Sequence, residues 1–367
     1  MWPESEESSK PLRTGLTTGT CATACVLAGA QALIAKREDP EAFVLLPKGQ
    51  KVSQPILYYQ YNADSVKTAT IKDAGDDPDA THGATVWAQV RLTSEKGVSF
   101  IAGEGVGTVT RTGLVLAVGE PAVNPVPRKM MSENLSLFAE NYGYDGGFEL
   151  TIGVENGEQI AQKTMNPRLG IIGGLSILGT TGIVRPFSCA AYIASIHQGI
   201  DVARANHLAH IAATTGNASE NAIKARHELT DMALIEMGDF VGAVLKHIRK
   251  VEKNSQLRKL SICGGFGKIS KLAQHHMDLN SRVSSINLNA LADTAMSLGA
   301  SDALQEKMRL ANTSIEALAF SSSEGLSLAD AVCHQAALFC RTYIPASMEL
   351  EVYAIDRKGE FVGYAKG

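Results

Sequence analysis

His210-Ile211-Ala212-Ala213-Thr214-Thr215-Gly216 is a short apolar run that ends in hydroxyls and a glycine, and a helix-like stretch, Ala218–Arg226, follows it. The same grammar repeats twice. Ala233–Glu236 runs into Met237-Gly238-Asp239 and a helix with Phe240, Val241, Val244, Leu245 and Ile248 on one face. Leu260–Cys263 runs into Gly264-Gly265-Phe266-Gly267 and a helix from Lys268. Three strand–loop–helix units in succession predict a parallel sheet whose carboxyl-end loops bind a ligand. Thr214, Gly216, Glu236, Asp239, Gly264, Gly265 and Gly267 are therefore the candidate cofactor residues. Read as a dinucleotide fingerprint from Gly265, the third loop fails, because Ser270 takes the last glycine position.

Outward from this core, helical patterns run from Leu288 to Phe339. Glu349–Ile355, a turn at Arg357-Lys358-Gly359 and Phe361–Tyr364 close the chain. The half before it reads differently. A helix over Thr20–Lys36, capped by Thr18 or Gly19, precedes strand candidates at Phe43–Leu46, Ile56–Tyr61, Val66–Ile71, Ala84–Leu92 and Ser99–Ala102, then Val109 onward. Pro127 suits the first turn of a helix reaching Tyr142, which Gly143 ends before a strand at Phe148–Val154. The expectation is an α+β N-terminal domain (1–175) joined to an α/β C-terminal domain (176–367) with a small, mainly parallel sheet.

Composition narrows the function. Over 367 residues the net charge is −4, which disfavours a nucleic-acid partner. Glu4, Glu6 and Glu7 against Lys10 make a targeting peptide unlike this start. Thr14–Ala35 is uncharged for 22 residues, but its threonines, Gln31 and glycines mark a buried helix rather than a membrane span. Six scattered cysteines with no Cys-x-x-Cys pair argue against a disulfide scaffold or a metal site and for buried thiols in a cytoplasmic protein.

Five motifs carry possible chemistry. Arg13-Thr14-Gly15-Leu16-Thr17-Thr18-Gly19-Thr20 is either an anion cradle or a plain helix cap. Lys72–Gly83 packs Asp73, Asp76, Asp77, Asp79 and His82 into twelve residues. Acid–base work fits this crowding better than calcium, whose EF-hand spacing is absent, and a solvated turn is the plain alternative. Gly103-Glu104-Gly105-Val106-Gly107 lacks a following helix, so a turn facing substrate, supported by Arg111, is preferred to a cofactor loop. Arg128 and Lys129 sit at the start of a helix, against its dipole, which points to an anionic partner or a salt bridge. Asn166–Pro186 reads either as a buried crossover strand or as a glycine hinge.

Together, LRTGLTTGTCATA (12–24), KDAGDDPDATHGA (72–84), GEGVGTVTRTGL (103–114), GEPAVNPVPRKM (119–130), NPRLGIIGGLSILGTTGIVRPFS (166–188) and ICGGFGKISKLA (262–273) resemble the CbiD family of cobalt-precorrin-5B C1-methyltransferases of anaerobic cobalamin biosynthesis. The resemblance implies S-adenosylmethionine as methyl donor, a cobalt-bearing tetrapyrrole as substrate and no metal of the protein's own. It leaves room for a homo-oligomer or for transient contact with neighbouring pathway enzymes. A substrate rich in carboxylates makes Arg13, Thr17, Thr18, Arg111, Arg128, Lys129 and Arg185 candidate substrate-binding residues. Asp73, Asp76, Asp77 and His82 are the candidate catalytic group. A nicotinamide-dependent reductase and a non-catalytic corrinoid carrier are the rival readings.

Overall fold

The structure is a computed structural model that describes residues 11–251 and 256–367. The acidic start at Glu4, Glu6 and Glu7 lies outside the described residues. The chain divides after Ser188 into two compact units, so the stretch 176–188 belongs to the first.

The first unit is built on the helix Thr18–Ile34, and 14 of its 17 residues are buried. Small residues make that possible. A Cβ on Gly29 would stand 2.7 Å from Val90 Cγ2, and one on Gly19 2.9 Å from Pro127 Cγ. The helix starts at Thr18 rather than Thr20, because Thr17 is its cap and accepts the Thr20 N–H at 3.2 Å. Beneath it lies a five-stranded sheet in the order Tyr58–Tyr61, Ser65–Ile71, Thr85–Thr93, Gly147–Val154, Val98–Ala102. Every pair is antiparallel except the last, which is parallel. The helix Pro125–Tyr142 ends as expected at Gly143, whose φ of 65° is left-handed. A hairpin of Glu41–Leu45 and Lys51–Pro55 also packs in this unit. Its second strand escaped the sequence reading, since it offers Val52 as its one large apolar residue.

Asn166–Pro186 is not a crossover strand. It supplies three two-residue strands, Ile171–Ile172, Gly174–Leu175 and Ile183–Val184, which pair with Thr108–Val109, Gly105–Val106 and Gly15–Leu16 respectively. The glycines of both segments permit this close backbone packing; a Cβ on Gly174 would stand 2.2 Å from the Gly105 carbonyl oxygen.

The second unit holds a mixed five-stranded sheet in the order Leu234–Glu236, His210–Thr214, Lys259–Gly265, Glu349–Ile355, Phe361–Lys366. The first four strands are parallel and the last is antiparallel to its neighbour. Alternation along the strands sends Ile211, Ala213, Leu260, Ile262, Leu350 and Val352 into the main core. Ala212, Leu234, Cys263 and Tyr353 join Ile223 of the helix Asn217–His227 on the other face. The helix Phe266–Ala273, placed by Phe266, Ile269 and Leu272, belongs to the main core. Five cysteines are buried as expected, but Cys189 is exposed at the start of the helix Cys189–Ala205. No helix among the described residues is long and apolar enough to cross a membrane.

Candidate functional site

In the first unit, the loop 72–83 and the segment 13–16 are laced together. Asp76 N–H donates to the Arg13 carbonyl at 2.9 Å, and Leu16 N–H to the Asp73 carbonyl at 2.8 Å. In return the Arg13 N–H donates to Asp76 Oδ2 at 2.6 Å. The Arg13 guanidinium pairs with both oxygens of Asp73, with Nη2 2.9 Å from Oδ1. That bond, with the Gly75 N–H, pulls the Asp73 carboxyl down to about 2. Lys72 is 1% exposed, and its ammonium lies 2.5 Å from Asp79 Oδ2. Burial would raise the Asp79 carboxyl, but the Lys72 charge and hydrogen bonds from Lys72 and Thr81 bring it below its ordinary value. Asp77 Oδ1 accepts the Phe187 N–H at 2.9 Å.

The crowded carboxylates are thus separated rather than pressed on one another. Arg13 engages Asp73 through its guanidinium and Asp76 through its N–H, while Phe187 engages Asp77 and Lys72 engages Asp79. His82 Nδ1 accepts the Ala74 N–H at 3.2 Å, so the proton of the neutral imidazole sits on Nε2. The ring is half exposed. A cavity of about 590 Å³ lies beside this cluster, with Thr14, Gly15, Leu16, Gln54, Ile71 and Asp73 among its walls.

The basic candidates fall into different roles. Arg128 holds its own loop, donating to the carbonyls of Val123 (2.7 Å) and Pro121 (3.1 Å) and approaching Glu120 at 3.3 Å. Those acceptors resolve its conflict with the helix dipole. Lys129 is solvent-facing, 3.6 Å from Glu133. Arg185 is exposed, and Arg111 lies along the backbone of Gly170. Thr17 and Thr18 are buried, and both bind protein: Thr17 caps its helix, while Thr18 Oγ1 and the Leu178 N–H are 3.0 Å apart.

The second unit presents its candidate site at the carboxyl ends of its strands. His210–Thr214 and Lys259–Gly265 are neighbours, yet their following helices lie on opposite faces of the sheet. A crevice opens where successive crossovers part in this way. The cleft there measures about 620 Å³ and is lined by the loops 215–219, 265–268 and 355–357, with Lys271, Ser281, Ile286, Ile315 and Leu318. Gly216, Gly265 and Gly267 line it. Gly265 has nothing within 4 Å of a built Cβ, so it leaves room for a ligand. Gly264 is needed for packing instead, since its Cβ would stand 2.7 Å from Thr215 Cγ2.

Thr214 is fully buried, and its hydroxyl finds no hydrogen-bond partner among the described residues. Ser219 Oγ accepts the Thr215 and Gly216 N–H groups at 3.1 Å each, shaping the turn into the helix. Glu236 and Asp239 are not among the lining residues; Glu236 is exposed, and Asp239 pairs with Lys268. Sequence reasoning missed Lys268, Lys271, Ile315, Leu318, Ile355, Asp356 and Arg357. The fourth strand was legible, but nothing in it showed that its loop would join those of the first and third. Among the described residues no group of three or more His, Cys, Asp or Glu side chains could hold a metal ion.

The fold and this cleft define a two-unit α+β protein with a crevice at the carboxyl ends of the strands of a mixed sheet. The CbiD family pattern matches residues 5–186, and the CbiD C-terminal domain pattern matches 278–366. A cobalt-precorrin-5B C(1)-methyltransferase from Marinomonas sp. is 70% identical, over all of this chain and 97% of that protein. Proteins of the same name from Burkholderia lata and Pseudomonas fluorescens are 61% and 59% identical over the whole of both chains. A crystal structure of a cobalamin biosynthesis protein (cbiD) from Archaeoglobus fulgidus is 26% identical, covering 70% of this chain and 78% of that one, with a TM-score of 0.39. The chain belongs to the CbiD family.

Proposed function

We propose that the protein transfers a methyl group from S-adenosylmethionine to C-1 of cobalt-precorrin-5B, giving cobalt-precorrin-6A in anaerobic cobalamin biosynthesis. The observation that carries this reading is end-to-end identity of 59–70% with relatives bearing that methyltransferase name. Neither a nicotinamide-dependent reductase nor a passive corrinoid carrier is favoured by that relation. The cobalt belongs to the substrate.

The second unit, from Cys189 onward, is assigned the donor, and the cleft beside Gly265 is the place proposed for it. S-adenosylmethionine supplies an electrophilic methyl group on a sulfonium, with an adenosyl arm and an amino-acid arm. Ile286, Ile315, Leu318 and Ile355 offer an apolar wall for a purine. The opening turns of Asn217–His227 and Phe266–Ala273, with Lys268 and Lys271, offer positive ends for a carboxylate.

The first unit, which ends at Ser188, is assigned the tetrapyrrole. Arg111, Lys129 and Arg185 are the cations proposed for its carboxylate arms, and Arg13 acts chiefly by holding Asp73. Asp76 and Asp77 each keep one carboxylate oxygen that no backbone group among the described residues engages. These two are proposed for proton transfer, with His82 donating from Nε2 to a substrate arm.

Incubation of the protein with cobalt-precorrin-5B and methyl-labelled S-adenosylmethionine tests the activity. The expected result is one label per macrocycle at C-1; an unlabelled macrocycle in the presence of folded protein would overturn it.

A further inference from the structure

The loop 72–83 joins two neighbouring strands, Ser65–Ile71 and Thr85–Thr93, whose last register pair is Ile71 with Thr85. Main-chain bonds close its base: the Lys72 N–H donates to the Ala84 carbonyl at 2.9 Å, and the Gly83 N–H to the Lys72 carbonyl at 2.8 Å. The first half of the loop is fastened from outside, by the segment 13–16. The second half, which carries His82, is fastened from within. Asp79 Oδ1 accepts the Thr81 N–H at 2.8 Å and the Thr81 hydroxyl at 2.6 Å, and the Asp79 carbonyl accepts the His82 N–H at 3.0 Å. Asp79 is held in turn by Lys72, through Oδ2.

Lys72 is among the largest fully buried side chains of the described residues. Burying an ammonium is costly, and an ion pair inside a protein stabilises a fold little more than an apolar pair of the same volume. What it supplies instead is a single geometry. The geometry at stake here is that of the His82 imidazole. Its Nδ1 accepts the Ala74 N–H at 3.2 Å, and Asp73 Oδ1 lies 3.8 Å from the same nitrogen. These two neighbours favour opposite tautomers. The Ala74 N–H needs a bare Nδ1 and leaves the proton on Nε2, whereas the Asp73 carboxylate draws a proton to Nδ1. The ring is half exposed, so the placement of its backbone, rather than packing around it, decides between them.

We infer that Lys72 and Asp79 are positioning residues, the buried pair setting the His82 backbone so that the imidazole keeps its proton on Nε2 and presents it to substrate. The inference rests on the role proposed above for His82 in holding a substrate arm. Neither Lys72 nor Asp79 needs to touch substrate, because the pair acts through Thr81 and His82.

Imidazole-nitrogen NMR of the full chain reads the tautomer without any turnover, the His82 signals being assigned by their loss in His82→Gln. At a pH where the ring is neutral, wild type is expected to show a bare Nδ1 and a protonated Nε2. Changing Lys72→Met and Asp79→Leu together removes the pair without leaving a lone buried charge, so the fold should survive. This double variant is expected to lose the fixed tautomer. Its kcat/KM for cobalt-precorrin-5B should fall roughly tenfold, with S-adenosylhomocysteine affinity within about twofold of wild type. A pair that merely braced the fold would move Tm and leave the tautomer alone. A fixed Nε2–H tautomer in the folded double variant therefore overturns the inference. If the double variant does not fold, Thr81→Val, which removes one bond to Asp79, is expected to shift part of the His82 population to the other tautomer. Unchanged His82 signals in folded Thr81→Val overturn the inference too. Failure of the reading beneath it looks different: the wild-type tautomer is fixed, yet His82→Gln methylates cobalt-precorrin-5B with wild-type kcat/KM. That outcome takes both His82 and the pair behind it out of the reaction.

Discussion

Gly15 and Gly75 lie so close against each other's segments that neither has room for a methyl group. A Cβ on Gly15 would stand 2.1 Å from the Ala74 carbonyl carbon, and one on Gly75 2.2 Å from the Arg13 carbonyl oxygen. Gly75 also has a φ of +69°, which side chains disfavour. Gly75→Ala is therefore expected to cost about 3 kcal/mol or more, lowering Tm by roughly 5–10 °C. Gly49→Ala is the control. Its φ of +84° is similarly strained, but nothing lies within 4 Å, so about 1 kcal/mol is expected. Equal Tm losses in calorimetric scans would show that the lacing of the two segments adds nothing.

The Arg13–Asp73 pair gives a pH signature. Asp73 titrates at about 2 in the folded protein, against an ordinary 3.8. Its stabilising contribution is present above the unfolded value and is lost as pH falls through the interval from about 4 to about 2. The stability difference between wild type and Asp73→Asn should be constant above that interval and shrink within it. Denaturant titrations across the acid range measure it; a difference that grows on acidification would contradict the pairing.

His210 acts in a higher window. Burial and the nearby His227 and Lys259 hold its imidazole down to about 4, from 6.5. Its Nε2 meets Ser261 Oγ at 2.8 Å, in a network that continues to Glu351 and Tyr353. A base with a lowered folded value favours the fold above its unfolded value, and that advantage is lost as pH falls from about 6.5 to about 4. Wild type is expected to lose at most about 3 kcal/mol to this group over that span. His210→Gln should flatten the stability profile there, and an unaltered profile would remove His210 as its cause.

Asp76 and Asp77 separate brace from chemistry. Asp76→Asn and Asp77→Asn retain an acceptor oxygen for the Arg13 and Phe187 N–H groups. If the carboxylates move a proton, kcat falls roughly a hundredfold while S-adenosylhomocysteine affinity stays near wild type. Wild-type turnover in both variants would leave the loop as a brace alone.

Two adjacent glycines divide structure from binding in the second unit. Gly265→Val fills open space and should weaken S-adenosylhomocysteine at least tenfold without a large change in Tm. Gly264→Val collides with Thr215 and should lower Tm by several degrees. The opposite pattern would place the ligand elsewhere.

Much of this was legible in the sequence because the signals were local. The three strand–loop–helix units and the Gly143 stop need no knowledge of distant residues. What escaped was non-local. Asp76 looked like one of a crowd of carboxylates because the Arg13 N–H that engages it lies 63 positions away. Lys268 and Lys271 looked like ordinary helix residues until the loop at Leu279 was seen to fold back on them. Arg128 looked exposed to an anion because its acceptors are mostly main-chain carbonyls, and main-chain groups leave no mark in a composition.

The three two-residue strands between Ile171 and Val184 also bear on how the first unit breathes. Each is too short to persist alone, and each fastens a different segment: 108–109, 105–106 and 15–16. One continuous stretch closes all three, so peeling it away releases them together. Amide protons in these four segments should then exchange with solvent as a single cooperative group, at a common rate set by the free energy of opening all three closures together. The segment that meets the Asp73 loop would share its opening with the glycine turns at 105 and 174, although neither turn borders the cavity beside that loop.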